Sequence, residues 1–190
     1  MALSEAAVAK ALTRLGHYRV TTAQYVALEG PPDDISGSLL LALGLRESLL
    51  QNINNKAQSD KGCFQITERY HGAFLRSEPG CPEGTWIGVP DHSAFEDGYC
   101  PRFTPALHYA LSMLQQARMY ALRNGVTGDD VIRFAIASYN AGLGGAIEGY
   151  RAGDIDLKTT GGDYSAWVIE HRTLINRWLN DHPNWKITTL

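Results

Sequence analysis

The sequence predicts a mainly α-helical fold, and three observations carry that expectation. Apolar residues recur at the spacing of a helix face through most of the chain. No segment sustains the apolar–polar alternation of a half-buried strand. The one long stretch with neither period, residues 76–103, holds four prolines and four glycines and reads as an irregular rim or lid. A chain of 190 residues buries roughly 70% of the surface its unfolded form exposes, so this one needs no disulfide or metal to fold.

Each element follows from local signals. Ser4 stands ahead of an amphipathic run, predicting a helix near 4–15. Glu5, Lys10 and Arg14 interrupt that run, so it lacks the continuous apolar core of a secretory signal. A second helix is predicted near 21–29. Pro31 and Pro32 in "EGPPDD" end it, and Asp34 or Ser36 is available to cap the next, near 36–50. Residues 1–30 are thereby set apart as an N-terminal helical appendage, with 31–190 as the main domain. Further helices are predicted near 67–75, 104–124, 129–141, 143–151 and 163–180. The longest apolar run, "LLLALGL", is far short of the roughly 20 residues that span a bilayer.

Composition excludes several function classes. A net charge of -3 gives no general basic field for nucleic acid or an anionic membrane surface. The six histidines show no metal-ligand spacing; His71 and His92 are the two best placed to line a cleft. Asp154 and Asp156 share a loop but lack the spacing and glutamate of an EF-hand. "AGLGGAIEGYRAG" is glycine-rich without a preceding strand, which argues against a phosphate-cradling loop. Cys63, Cys81 and Cys100 form no C-x-x-C pair. Cys63 reads as core, while Cys81 and Cys100 sit beside prolines and are either free or joined across the loop.

The chemistry starts in "LALGLRESLLQN", residues 41–52, where Glu47 and Ser48 close an apolar helix. One reading pairs Glu47 with Arg46 or Lys56 at the surface. The other leaves it short of partners in an apolar setting, where a carboxyl answers by holding its proton and becomes a proton donor. Three further segments bear on the choice: "DKGCFQITE" at 60–68, "ASYNAG" at 137–142 and "GGDYSAWV" at 161–168.

Together and in this order, the four segments resemble the soluble lytic transglycosylase family, which cleaves the glycan strands of bacterial peptidoglycan on a lysozyme-like helical scaffold. That family has Glu-Ser at a helix end and Gly-x-x-Gln eighteen residues on, as from Glu47 to Gln65 here. It then has a Tyr-Asn-Ala-Gly motif, matched by Tyr139, Asn140, Ala141 and Gly142 with one residue fewer after Ala137. Its last tyrosine, four before a β-branched apolar residue, is matched by Tyr164 and Val168. The resemblance covers residues 36–180. It implies Glu47 as the general acid, Ser48 and Gln65 as neutral groups orienting the sugar, and Tyr139, Asn140 and Tyr164 as the cleft wall. Gly62 would permit close backbone approach.

The chain departs from the family at one telling place. The usual Ser-x-x-Gly-Ala before Gly-x-x-Gln is missing, and Asp60 stands five residues before Gln65. A glutamate followed by Asp-x-Gly-x-x-Gln resembles animal-type lysozymes, in which the aspartate is the second catalytic carboxylate. Asp60 therefore leaves open a hydrolytic muramidase beside the transglycosylase; Glu68, at a predicted helix start, is the weaker candidate. A non-catalytic glycan-binding module of a wall-penetrating machine, or a chitin-cleaving enzyme, are the readings from further afield.

The resemblance implies no cofactor, glycan strands of peptidoglycan as the partner, and neither nucleic acid nor membrane insertion. With no signal peptide legible, delivery to the bacterial cell wall in the periplasm is expected through phage lysis, a virion or a secretion machine. An inhibitor or immunity protein is the partner expected of a secreted effector.

Overall fold

Ser4 does what its position predicts: its Oγ accepts from Ala7 N and caps α1, Glu5–Leu15. The structure is a computed structural model that describes residues 2–28, 35–55, 57–77, 80–82 and 99–185. After α1 the chain needs one residue to turn, Gly16 at φ +95°, and α2 runs His17–Leu28, starting four residues before the sequence suggested. The proline break at 29–34 lies outside the described residues.

Ser36 caps α3, Gly37–Ser48, by accepting from Leu39 N. Every residue from Gly37 to Leu45 is buried, as expected of a helix apolar on all sides. α3 is the axis of the molecule. Against it pack α2, α5 (Phe103–Arg123) and α7 (Tyr164–Asp181). At Gly37 a β-carbon would fall 2.5 Å from Gln24 Cα, so glycine is what lets α2 and α3 close on each other.

Two further α-helices among the described residues are α4, Glu68–Ser77, bent at His71, and α6, Asp130–Arg151. α6 joins the two helices predicted at 129–141 and 143–151; Gly142, at φ +70° and ψ 167°, is the break between them. Mainly helical architecture is thus what the sequence indicated. What its periodicity did not indicate is a small antiparallel sheet of β1 (Asn54–Asn55), β2 (Asp60–Lys61) and β3 (Ile66–Thr67). Strands of two residues are too short to show alternation.

The larger core cluster draws Leu12, Leu15, Val20 and Ala23 together with Leu40, Leu43, Leu107 and Ile175. Helices α1 and α2, set apart by the sequence as an appendage, therefore share one core with the rest of the chain. Buried His171 reinforces this, its Nε2 accepting from Leu3 N at 2.9 Å. A smaller cluster around Phe134 joins α5 to both halves of α6.

Most of the predicted rim or lid falls outside the described residues. Its described ends pair as β4 (Gly80–Pro82) and β5 (Tyr99–Pro101), with Cys81 opposite Cys100 in register. Directly opposed positions of an antiparallel pair lie within the Cα separation that a disulfide spans.

Candidate active site

The site begins with an unusual helix stop. α3 ends at Ser48, and Leu49 and Leu50 both adopt left-handed backbone, φ +55° and +57°. Neither is glycine, so the reversal costs about 1–2 kcal/mol per residue. Burial of the Leu50 side chain and the bonds from Leu49 N to Leu45 O and Leu50 N to Gly44 O offset that cost. The reversal leaves Glu47 on the last turn, half-buried, facing the 60–67 segment and the start of α7.

Gly44 brings that segment in. A β-carbon there would lie 3.0 Å from Cys63 Sγ and 3.3 Å from the Phe64 ring. Gly62, at φ +76°, turns the chain so that residues 62–65 lie along α3. Several residues matched to the family motifs hold this turn. Ser48 Oγ donates to Cys63 O at 2.8 Å and accepts from Gln51 N. Gln65 Nε2 donates to Gly62 O at 2.7 Å and to Ile53 O. The Tyr139 hydroxyl donates to Phe64 O at 2.9 Å. Ser48 is buried, and its hydroxyl is engaged in holding this turn beneath the site.

Tyr164 opens α7 and was expected on the cleft wall. It sits instead in the core at 3% exposure, and only its hydroxyl reaches the site, donating to Glu47 Oε1. Asn140 is exposed, its Oδ1 accepting from Thr160 N at 2.7 Å. Asp60, on β2, is half-buried and accepts from the Thr67 hydroxyl at 2.7 Å. Glu68 begins α4.

Arg46, one of the two partners proposed for Glu47, pairs with Asp163 at 2.8 Å and lies over the rings of Tyr164 and Trp167. Lys56, the other, lies outside the described residues. Burial pushes the Glu47 carboxyl up to about 7; the charge of Asp60 adds to the rise, while the Tyr164 hydroxyl and Arg46 oppose it. Burial likewise keeps Tyr139 and Tyr164 far above their usual range and so neutral. Buried Cys63, pushed up to about 12, is an inert thiol beneath the acid.

Tyr139 and Asn140 also line a hollow of about 660 Å³ between α4, α5 and α6. Its far wall was not identified from the sequence, apart from His71. Tyr70 and His71 come from α4 and Tyr109 from α5; His71 Nδ1 meets the Tyr109 hydroxyl at 2.9 Å, and Phe74 stacks on the Tyr109 ring. Burial holds His71 below the usual histidine range, so it is a neutral partner. His92 lies outside the described residues. Tyr70 had a signal, an aromatic placed shortly after the Gln65 motif; Tyr109 had none, because only its tertiary contact with His71 and Phe74 of α4 brings it there.

Among the described residues no group of three His, Cys, Asp or Glu side chains could hold a metal ion. The arrangement offers a carboxyl poised to give and take a proton near neutral pH, a second carboxylate within electrostatic reach, and an aromatic, hydroxyl-rich hollow alongside. No family model matches the chain, and no curated protein matches it significantly.

Proposed function

We propose that this protein has a lysozyme-like scaffold and cleaves the β-1,4 bond between N-acetylmuramic acid and N-acetylglucosamine in peptidoglycan, as a lytic transglycosylase. The observation that carries the proposal is Glu47: a carboxyl at the end of an apolar helix, with its proton affinity raised to about 7, bonded by one tyrosine hydroxyl and beside a second tyrosine that lines a glycan-sized hollow. A glycosidic oxygen leaves only once protonated, and a group titrating near the working pH delivers and recovers a proton with least loss.

In this mechanism Glu47 gives its proton to the N-acetylglucosamine oxygen as the bond to muramyl C1 breaks. The substrate's own N-acetyl group stabilises the positive charge at C1. The muramyl 6-hydroxyl then attacks C1 and returns its proton to Glu47, closing a 1,6-anhydro ring and restoring the acid. Tyr164 donates to the carboxylate in the interval when it is ionised. No cofactor takes part.

One observation favours a second reading. Asp60 is close enough for its charge to raise Glu47, and Thr67 fixes one of its oxygens. In a retaining muramidase such a carboxylate serves the developing cation and water replaces the 6-hydroxyl. Digestion of purified peptidoglycan followed by mass spectrometry separates the two. Anhydro ends, lighter by one water, with Asp60→Asn retaining most activity, are expected. Reducing ends together with a loss of about a hundredfold or more in Asp60→Asn would establish hydrolysis instead.

A further inference from the structure

The loop before α7 holds a buried carboxylate that the mechanism above does not use. Asp156 is 2% exposed. Its Oδ1 accepts from Ser165 N at 2.7 Å, and its Oδ2 accepts from Ser165 Oγ at 2.7 Å and from Ala166 N at 3.2 Å. Arg133 of α6 stands 3.5 Å from Oδ2. Those backbone donors belong to the first turn of α7, where helix N–H groups have no partner within the helix. Asp163, the residue in the capping position, makes no side-chain cap bond; its carboxylate is paired with Arg46 instead. A carboxylate from seven residues upstream does the capping in its place.

What this cap holds is Tyr164. The tyrosine is the first residue of α7, its amide donates to Thr159 Oγ1, and Thr159 Oγ1 in turn donates to the Asp156 carbonyl at 2.8 Å. Its ring is packed under Arg46 and its hydroxyl ends on Glu47. With its ring buried, the Tyr164 hydroxyl has no freedom of its own, so its place beside Glu47 is set by the first turn of α7.

We infer that Asp156 is a positioning residue for the acid: by capping α7 in place of Asp163 it sets where Tyr164 stands, and through the Tyr164 hydroxyl it holds the Glu47 carboxyl. The inference rests on Glu47 being the acid of the proposed reaction. Among the described residues, the groups that act on the Glu47 charge are Tyr164 from α7, Asp60 from β2 and Arg46 from α3 itself, with Tyr139 from α6 and Cys63 beneath. Among these, Tyr164 is the one that Asp156 controls.

The test is the titration of Glu47, read from its ¹³C side-chain carboxyl shift and assigned with Glu47→Gln, beside the pH profile of lysis. The Tyr164 bond favours the ionised carboxyl, so its loss raises the midpoint. Tyr164→Phe and Asp156→Asn are each expected to move midpoint and alkaline limb upward by at least about half a unit, roughly threefold in proton concentration. The double variant is expected to move no further than the larger single one. An unmoved midpoint in a folded Asp156→Asn protein, with Tyr164→Phe shifted, overturns the inference and leaves Asp156 a stabilising cap only. If Asp156→Asn does not fold, Asp156→Glu, which keeps the charge but displaces the carboxylate from the Ser165 and Ala166 amides by one methylene, is read the same way, and an unmoved midpoint there overturns it too. Because the carboxyl titration needs no substrate, midpoints that move together in a protein unable to lyse peptidoglycan would uphold the positioning role and sink the glycosidase reading.

Discussion

Glu47 and Asp156 are both carboxylates withdrawn from water at the edge of a helix, and they are held on opposite sides of the usual range. At Glu47 burial dominates and lifts the group to about 7: among the described residues a single tyrosine hydroxyl donates to it, and a second carboxylate adds to the rise. At Asp156 burial also pushes upward, but the donors Ser165 Oγ, Ser165 N and Ala166 N, with Arg133 behind them, outweigh it and hold the group below the usual range. Burial alone does not decide what a carboxyl does; the supply of donors does. A region short of donors makes an acid, and a region saturated with them makes a fixed anion that organises backbone.

The largest effect that can break this comparison is on catalysis. Glu47→Gln conserves size and removes the transferable proton, so lysis of purified peptidoglycan is expected to fall on the order of a thousandfold. Stability should move the other way. The folded midpoint near 7 lies above the unfolded one near 4.5, so the stability that Glu47 contributes is present below pH 4.5 and lost as the pH rises through 7. Glu47→Gln is therefore expected to be more stable than the parent at pH 8, by on the order of 2 kcal/mol, with the gap closing toward pH 4.5. Urea unfolding across that range measures it. A variant less stable than the parent at pH 8 would mean that Glu47 is paired and not starved of donors.

Asp156 should give the mirror image. Its folded midpoint is depressed, so its contribution is present above the unfolded value of 3.8 and lost as the pH falls through the folded one. Asp156→Asn leaves at least one N–H or hydroxyl donor at the start of α7 without an acceptor, and is expected to cost about 2–4 kcal/mol at pH 7. The gap should narrow below pH 4. Two pH–stability difference curves of opposite slope, one for each carboxylate, are the signature sought; parallel curves would erase the distinction between the regions.

The sequence carried one of these regions far better than the other. Glu47 was legible because an acid closing a run of leucines has few partners nearby, and the spacing to Gln65 carried the family resemblance. Asp156 read as an ordinary loop acid, since its donors lie nine and ten residues on and meet it only once the loop folds back. The helices were legible from caps and periodicity at Ser4, Ser36 and Gly142. The stop at Leu49 and Leu50 was not, because tertiary burial and not glycine stabilises the left-handed turn. Ser48 and Tyr164 were found as motif residues, yet spacing could not tell that one hydroxyl is consumed by Cys63 O and that the other belongs to a core side chain.

The smallest expected effect concerns the tether between the two regions. Asn140 lines the hollow beside the acid while its Oδ1 accepts from Thr160 N, in the same loop that carries Asp156. That bond is exposed, so water replaces it readily, and Asn140→Ala is expected to cost no more than about 1 kcal/mol in unfolding free energy. On the proposed reading its effect on lysis should be larger in proportion, about tenfold, because Asn140 would then offer a bound glycan amide contacts that water does not reproduce. The Glu47 midpoint should not move, since Asp156 and its donors stay in place. Thermal unfolding, specific activity and the carboxyl titration on one preparation separate the possibilities. Full specific activity with a steep loss of stability would make Asn140 a strut of the loop; a shifted midpoint would mean that the loop, and not the cap at Asp156, sets the register of Tyr164.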